Sequence, residues 1–214
     1  YDYHTPLQTT IPGLNNFKGQ TVHPQFWPKD LNYDNKKVVI IGSGATAITL
    51  LPKIAETADR VTMLQRSPSY ILSIPNRNDS IFSWVLPTSW FRKFQRIRMM
   101  LMSQMFFMFC QKFPGLARRL LRYSVSRQLP KHIPLDPHFS PRYNPWEQRL
   151  CICPDGDFFK GLRSGHADVK TDHIDTVTAT GIKLKSGDEL DADIIVTATG
   201  LKLQFMGGIP IIVN

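Results

Sequence analysis

The feature that most constrains the fold is a glycine-containing turn between an apolar run and a helical pattern. Residues 36–41 (Lys-Lys-Val-Val-Ile-Ile) end in a β-branched run that is typical of a buried parallel strand. The turn occupies residues 42–47, a helical pattern continues to residue 57, and a second apolar run covers residues 61–65. Strand, glycine loop, helix and strand in about thirty residues predict a βαβ unit.

The glycine loop has the composition of a dinucleotide-binding turn. Gly42 permits a tight turn, and Gly44 lets the backbone approach a pyrophosphate at the start of a helix. Ala47 takes the place of the third glycine of the usual pattern. A glycine turn without a ligand is the alternative interpretation. The residues that we predict to bind the cofactor here are Gly42, Ser43, Gly44, Ala45, Thr46, Ala47 and Ile48.

The residues after the second strand predict which dinucleotide binds. An NAD-binding domain usually has Asp or Glu there, about 20 residues after the loop, to accept a hydrogen bond from the ribose 2′-hydroxyl. This chain has Arg66 and Ser67 instead. A guanidinium pairs with a 2′-phosphate, which a carboxylate would repel. We therefore predict NADPH, with Arg66 and Ser67 at its 2′-phosphate; a solvated surface arginine is the alternative.

The C-terminal third of the chain is predicted to be mainly β. Residues 169–200 alternate between short apolar runs and tight turns, at Thr180-Gly181 and at Ser186-Gly187-Asp188, which is typical of a small β-meander. Residues 193–197 then form another buried run. The predicted fold class is α/β: a Rossmann-like NADPH-binding domain with a parallel sheet, a small β-meander and a helical insertion.

The positive charge of the chain lies in one helical segment. The net charge is +9, and residues 80–135 contain ten Lys or Arg but no Asp or Glu, so the remainder is close to neutral. We expect two or three helices here, interrupted at Pro87 and near Pro114, with a nearly continuous apolar run over residues 99–110. Three interpretations stay open: peripheral contact with an anionic membrane through residues 91–131, a wall of the substrate entrance, or packing on a domain outside this chain.

The rest of the sequence excludes several functional classes. No apolar run reaches 18 residues and no stretch resembles a signal peptide, so we predict neither a spanning helix nor secretion. Cys110, Cys151 and Cys153 form no CxxC pair and fit a reducing cytoplasm. The sequence has no metal-ligand cluster, serine-nucleophile elbow or nucleic-acid-reading motif. We therefore predict a cytoplasmic protein, with or without membrane association, that binds neither metal nor nucleic acid.

A second motif precedes the glycine loop and points to a family. Residues 17–28 are Phe-Lys-Gly-Gln-Thr-Val-His-Pro-Gln-Phe-Trp-Pro, and the glycine loop begins fifteen residues after Trp27. Together they resemble the FxGxxxHxxxW(P/D) fingerprint of flavin-dependent Baeyer–Villiger monooxygenases, which lies just ahead of the NADPH-binding loop. The resemblance covers nearly the whole chain. It implies that Phe17, Gly19, His23 and Trp27 belong to an arm between the flavin and NADPH domains.

The resemblance also implies a catalytic arginine. Within the family, and most closely in its ethionamide-activating type, the arginine of a segment such as residues 143–151 lies over the flavin. In this chain that residue is Arg149. Its implied role is to stabilise the negative charge of the oxygenated flavin and of its adduct with a ketone. Gln148 stands where some relatives have a lysine directed at the 2′-phosphate, which leaves Arg66 as the main anchor.

The implied enzyme extends beyond this chain. Residues 1–35 contain no glycine loop for FAD, so we expect the FAD pocket to lie mostly outside the chain and the chain alone to be inactive. Ala198-Thr199-Gly200 resembles the motif at which the family returns to its flavin domain. The implied partners are NADPH, FAD, O2 and a ketone or sulfur-containing substrate. The expected domains are an interdomain linker at 1–34, the NADPH-binding domain at 35–79 and 148–200, the basic helical insertion at 80–147 and the start of the return at 201–214.

Two other functions stay open from the residues alone. A pyridine nucleotide–disulfide reductase would share the NADPH loop, but it needs a redox CxxC or CxxxxC, which this sequence lacks. A non-catalytic module for membrane surfaces would use only the basic segment at 91–131.

Overall fold

The computed structural model describes residues 1–7, 9–76 and 88–204, together with 207 and 209. The strands are β1 (Gln20–Val22), β2 (Lys37–Ile41), β3 (Arg60–Gln65), β4 (Tyr70–Ile74), β5 (Leu150–Pro154), β6 (Ala167–Thr171), β7 (Ile174–Val177), β8 (Gly181–Leu184), β9 (Glu189–Asp191) and β10 (Ile194–Thr197). The α-helices are α1 (Ala45–Ile54), α2 (Thr88–Lys112), α3 (Pro114–Ser126) and α4 (Asp157–Arg163). The predicted helix break at Pro87 and most of the predicted return segment after residue 204 lie outside the described residues.

A five-stranded parallel sheet forms the centre of the domain. Its order is β1–β10–β2–β3–β6, and every neighbouring pair is parallel. The inner strands β2 and β10 are buried along almost their whole length, because both faces of the sheet are covered. The predictions of a βαβ unit and of a parallel sheet are therefore confirmed.

Two helices cover one face of this sheet. α1 and α4 enclose an apolar cluster in which Leu51 of α1 and Phe158 of α4 are fully buried. The helices approach closely because Gly161 has no side chain: a Cβ there would lie 3.0 Å from the Cα of Pro52. α1 continues through Pro52 and ends at Ile54. Because α1 begins directly after the glycine loop, the packing of this helix fixes the end of the loop.

A small antiparallel sheet covers the other face. β7, β8 and β9 pair in sequence order, as the predicted β-meander requires. Ile182 and Leu184 of β8 pack with Val39 of β2 and Ile195 of β10 in a second apolar cluster. The central sheet is thus enclosed between helices and a β-meander.

The helical insertion leaves and re-enters the domain through two neighbouring strands. β4 and β5 form a separate parallel pair with Tyr70 opposite Leu150, so β5 is not part of the main sheet although it lies in the range assigned to the NADPH-binding domain. α3 packs on β4, and α2 packs on α3. The two helices are separated at Phe113, with Pro114 at the first helical position, where a missing N–H has no cost. Within the described residues, no helix is both long and apolar enough to cross a bilayer.

The middle of the predicted interdomain linker belongs to the sheet. β1 pairs with β10, and Val22 lies opposite Val196. Three residues are too few for a period of two to be visible in the sequence, so no strand was predicted within the linker range 1–34. Gly19 directly precedes β1. This position requires glycine, because a Cβ there would lie 2.3 Å from the carbonyl oxygen of Asp193 and 2.5 Å from the ring of Phe17. The glycine of the fingerprint is therefore required by the packing of this domain.

Candidate functional site

The predicted cofactor residues lie at the carboxyl end of the parallel sheet. Ile41 of β2 lies opposite Leu64 of β3, so the glycine loop and Arg66 follow the ends of adjacent strands. The N–H of Gly42 donates to the carbonyl of Leu64 at 2.8 Å and extends this pairing by one residue. In open parallel sheets, ligands bind at this edge, in the crevice outside the strand ends.

Gly42 is required by the protein's own backbone. Its φ is 134°, a conformation that side chains rarely adopt. A Cβ at this position would lie 2.3 Å from the carbonyl oxygen of Ala198, which follows β10. The turn after β2 therefore passes directly against the residue after the neighbouring strand, as the expected tight turn would.

Gly44, in contrast, faces open space. Among the described residues, no atom apart from the adjoining backbone lies within 4 Å of the place where its Cβ would be. Gly44 is the N-cap of α1, and no side chain caps this helix. Ala45 and Thr46 in the first turn are exposed. Because the first N–H groups of a helix lack partners and carry the positive end of its dipole, this position suits a pyrophosphate.

Three residues of the predicted loop face the protein. The hydroxyl of Ser43 is buried, donates to the carbonyl of Ser67 at 3.2 Å and lies 3.3 Å from the hydroxyl of Ser69. Ala47 and Ile48 are buried in the apolar cluster under α1. The side chains of these three residues therefore shape the loop. Ser69 was missed by the sequence analysis, since no motif links it to the loop.

Arg66 and Ser67 occupy the turn after β3, and both side chains are exposed. Within the described part of the chain, no carboxylate forms an ion pair with the Arg66 guanidinium. The hydrogen bond from Ser43 to the Ser67 carbonyl ties this turn to the glycine loop. An anion that contacts both the glycine loop and the Arg66 turn would therefore bind to two turns whose spacing is fixed by this hydrogen bond.

Arg149, which follows the helical insertion, reaches the same edge. It directly precedes β5, and the pairing of Leu150 with Tyr70 places it level with Ser69. The sulfur of Cys151 lies 3.9 Å from the carbonyl oxygen of Ser43. Burial raises the pKa of the Cys151 thiol, and the nearby charge of Arg149 partly opposes that rise. The structure thus brings the glycine loop, the Arg66 turn and Arg149 to one edge of the fold.

A closely bonded turn presents Arg149. The hydroxyl of Tyr143 donates to the carbonyl of Arg149 at 2.8 Å. The backbone and side-chain N–H groups of Asn144 donate to the Glu147 carboxylate at 2.8 and 2.7 Å, which lowers the pKa of that carboxyl. The side-chain oxygen of Asn144 accepts from Arg118 of α3 at 2.6 Å. Of these contacts, the one between Arg118 and Asn144 joins residues far apart in the chain, and sequence spacing gave no signal for it.

Trp146 connects this turn to α2. Its φ is 73°, which is uncommon for a residue other than glycine. Its ring meets the rings of Phe106 and Phe107 edge-on, with centroids 6.3 and 5.8 Å apart. The helices of the insertion therefore hold the segment that ends at Arg149.

A cleft in the described residues lies away from this edge of the sheet. It has a volume of about 660 Å³ and is found near the amino ends of the strands, lined by Lys18, Lys37 and Asp191 among others. Lys37 and Asp191 neutralise each other at 2.9 Å. None of the predicted site residues lines this cleft. Within the described residues there is also no group of three or more side chains that could hold a metal ion.

Two monooxygenases that bind FAD are similar to nearly the whole chain. The chain is 51% identical over 213 residues to the "Probable FAD-binding monooxygenase AlmA" of Acinetobacter baylyi. The alignment covers 98% of this chain and 42% of the relative. The chain is 47% identical over 212 residues to the FAD-containing monooxygenase EthA of Mycobacterium tuberculosis, covering 97% of this chain and 43% of the relative. The chain thus spans less than half the length of these relatives.

Solved structures share the fold. A cyclohexanone monooxygenase bound to ε-caprolactone superposes with a TM-score of 0.69 at 19% identity, over 92% of this chain and 46% of that one. An oxidised steroid monooxygenase bound to NADP superposes with a TM-score of 0.68 at 20% identity, over 92% and 45%. At these identities the likeness concerns the fold alone.

The family profile described as flavin-binding monooxygenase-like matches residues 2–207, almost the whole chain. This match and the identities to AlmA and EthA agree with the fingerprint and with the arrangement of the glycine loop. They also set aside the disulfide reductase alternative. The chain belongs to the flavin-binding monooxygenase-like family.

Proposed function

We propose that this chain is the NADPH-binding portion of an FAD-dependent monooxygenase of the Baeyer–Villiger type. The observation that carries the proposal is the placement of Gly44 and Arg66 at adjacent strand ends. The open helix start at Gly44 suits a pyrophosphate, and the exposed guanidinium of Arg66 suits a 2′-phosphate. Together they match the two anionic parts of NADPH.

Each residue of the site has a distinct part in this proposal. The N–H groups at the start of α1 donate to the pyrophosphate, and Arg66 and Ser67 contact the 2′-phosphate. Ser43 keeps the two turns at a fixed spacing through its bond to the Ser67 carbonyl. NADPH supplies a hydride when bound, and FAD, held mostly by protein outside this chain, supplies the oxygen chemistry.

Arg149 is proposed to contribute positive charge where an oxyanion develops on the substrate. Its side chain is exposed at the site edge, and Tyr143 fixes its backbone. A preorganised charge aimed at a developing anion accelerates such a step. We propose O2 and a ketone or sulfur-containing compound as the substrates. The ketone class agrees with a neighbour in fold that was solved with cyclohexanone bound.

Replacing Arg66 by Ala tests the cofactor. A charged hydrogen-bonding partner is worth about 1.5–3 kcal/mol, so NADPH affinity should fall by roughly one to two orders of magnitude. NADH has no 2′-phosphate, and its affinity should stay nearly unchanged. Titration of the purified protein with each cofactor measures both values. Arg127, which is also exposed, provides a control variant in Arg127→Ala. Equal losses for NADPH and NADH in Arg66→Ala would show that Arg66 is structural.

Replacing Arg149 by Ala in the full-length protein tests the catalytic assignment. Oxygenated product should fall by about 10²-fold, the scale for loss of one charge-stabilising group. NADPH affinity and flavin content should stay at wild-type values, because Arg149 is assigned to neither. Arg142→Ala removes another exposed arginine, directly before the same segment, and serves as the control. Product formation at the wild-type rate in Arg149→Ala would remove this residue from the mechanism.

The location of the protein forms the last part of the proposal. We propose a cytoplasmic enzyme that makes a peripheral membrane contact through residues 91–131. The supporting observation is that this range is rich in Lys and Arg and contains no Asp or Glu. Anionic lipid surfaces attract such segments.

A further inference from the structure

α2 has an apolar stripe on the side turned away from the domain. Its members recur every three or four residues, and each is between 54% and 71% exposed: Trp90, Phe94, Ile97, Leu101, Met105 and Met108. In an α-helix these positions fall within an arc of about 80° and extend over about 27 Å. Cys110 and Phe106 lie on the opposite side, where Cys110 is buried and Phe106 contacts Trp146. The stripe is therefore not the side that packs on the protein.

The charged side chains of α2 are all cationic. Lys93 is exposed beside the stripe and Lys112 lies at its C-terminal end, whereas Arg92 and Arg96 are exposed on the side that carries Cys110. Between residues 80 and 135 there is no Asp or Glu to neutralise them. A protein partner would need carboxylates placed opposite each of these groups. An anionic lipid surface supplies negative charge at every such headgroup and apolar chains just beneath it.

The dimensions agree with a helix that lies on a membrane. α2 has 25 residues, but it is not apolar enough along its length to cross a bilayer. A helix with one apolar side and basic flanks lies in the interface, with the apolar side about 5–10 Å deep. Trp90 stands at one end of the stripe, and aromatic rings of this kind favour the headgroup level.

We infer that α2 lies in the plane of an anionic lipid surface, with the apolar stripe among the acyl chains and Lys93 and Lys112 at the headgroup phosphates. This inference rests on the peripheral contact proposed above and adds its residues and its lipid chemistry. The same helix contacts Trp146 through Phe106 and Phe107. It thereby joins the lipid surface to the turn that presents Arg149.

Vesicle sedimentation of the full-length protein tests this inference. Vesicles of phosphatidylcholine are compared with vesicles of phosphatidylcholine and phosphatidylglycerol in equal parts. The wild-type protein should sediment with the anionic vesicles and much less with the neutral ones. The double variant Phe94→Ser/Leu101→Ser should bind at least about tenfold more weakly. Leu203→Ser removes a leucine outside α2 that is more exposed than Leu101, and this variant should bind as the wild type does.

A charge variant tests the headgroup contact. Lys93→Glu should weaken binding to the anionic vesicles, whereas Lys29→Glu, an exposed lysine outside the insertion, should not. Equal binding of wild type and the stripe variant would overturn the inference and leave the peripheral contact standing. Absence of any binding to anionic vesicles would overturn both, and the NADPH titrations would be unaffected. A wild-type dimer that the stripe variant converts to a monomer, without vesicle binding, would show that a second copy covers the stripe.

Discussion

Gly42→Ala and Gly44→Ala are expected to damage different properties of the same loop. Gly42 lies against the backbone of Ala198, whereas Gly44 faces open space. Gly42→Ala should therefore destabilise the fold. Gly44→Ala should leave the fold intact and weaken NADPH binding. Because the two substitutions add the same methyl group two residues apart, each variant is the control for the other.

The expected magnitudes follow from the geometry. At φ 134° a non-glycine residue is strained by about 1–3 kcal/mol. The contact of 2.3 Å with the Ala198 carbonyl oxygen forces a backbone shift, which typically costs about 1–3 kcal/mol more. The total is about 2–6 kcal/mol, a large part of the roughly 5–15 kcal/mol that stabilises a domain. The φ of Gly44, −83°, is open to any residue, so its variant should stay within about 1 kcal/mol of the wild type.

Urea unfolding followed by circular dichroism measures the first effect. Gly42→Ala should unfold at a clearly lower urea concentration, and its melting temperature should fall by at least about 4 °C. NADPH titration measures the second effect, for which we expect at least a roughly tenfold loss in Gly44→Ala, because the methyl group occupies the space that a pyrophosphate would approach. A Gly42→Ala variant as stable as the wild type would refute the role of Ala198. Unchanged NADPH affinity in Gly44→Ala would refute the placement of the pyrophosphate.

Two further predictions concern ionisation and thiol reactivity. Hydrogen bonds from Arg122 and Ser140 lower the pKa of Asp136 to about 2, so this carboxylate stabilises the fold above its unfolded pKa of about 3.9, and the stabilisation is lost as the pH falls toward 2. Arg122→Ala should raise the pKa of Asp136 measured by NMR, and an unchanged value would contradict this assignment. Cys110, Cys151 and Cys153 are buried free thiols, and burial raises the pKa of each. A thiol reagent should therefore label them only after unfolding, whereas rapid labelling of the native protein would contradict their burial.

Much of the nucleotide-binding architecture was predictable from the sequence. The apolar runs at residues 36–41 and 61–65, with the glycine loop between them, predicted two adjacent parallel strands, which the structure contains. The alternation after residue 169 predicted the β-meander. Arg66 in place of a carboxylate predicted NADPH, which the Arg66→Ala titration tests. These signals are local, because strand burial, helix starts and tight turns each depend on a few consecutive residues.

The tertiary structure decided what depends on residues far apart in the chain. Gln20–Val22 forms a strand because its backbone groups pair with those at the edge of β10. Ser43 donates a hydrogen bond to the Ser67 turn, and Asn144 accepts one from Arg118, which helps to hold the segment before Arg149. The exposure of the α2 stripe was equally undetermined, since an apolar run of this length is typical of a buried helix as well. By itself, the sequence determined the local elements: the strands, the helix starts and the tight turns. The packing of distant segments determined which side chains are buried, which are hydrogen-bonded and which remain on the surface.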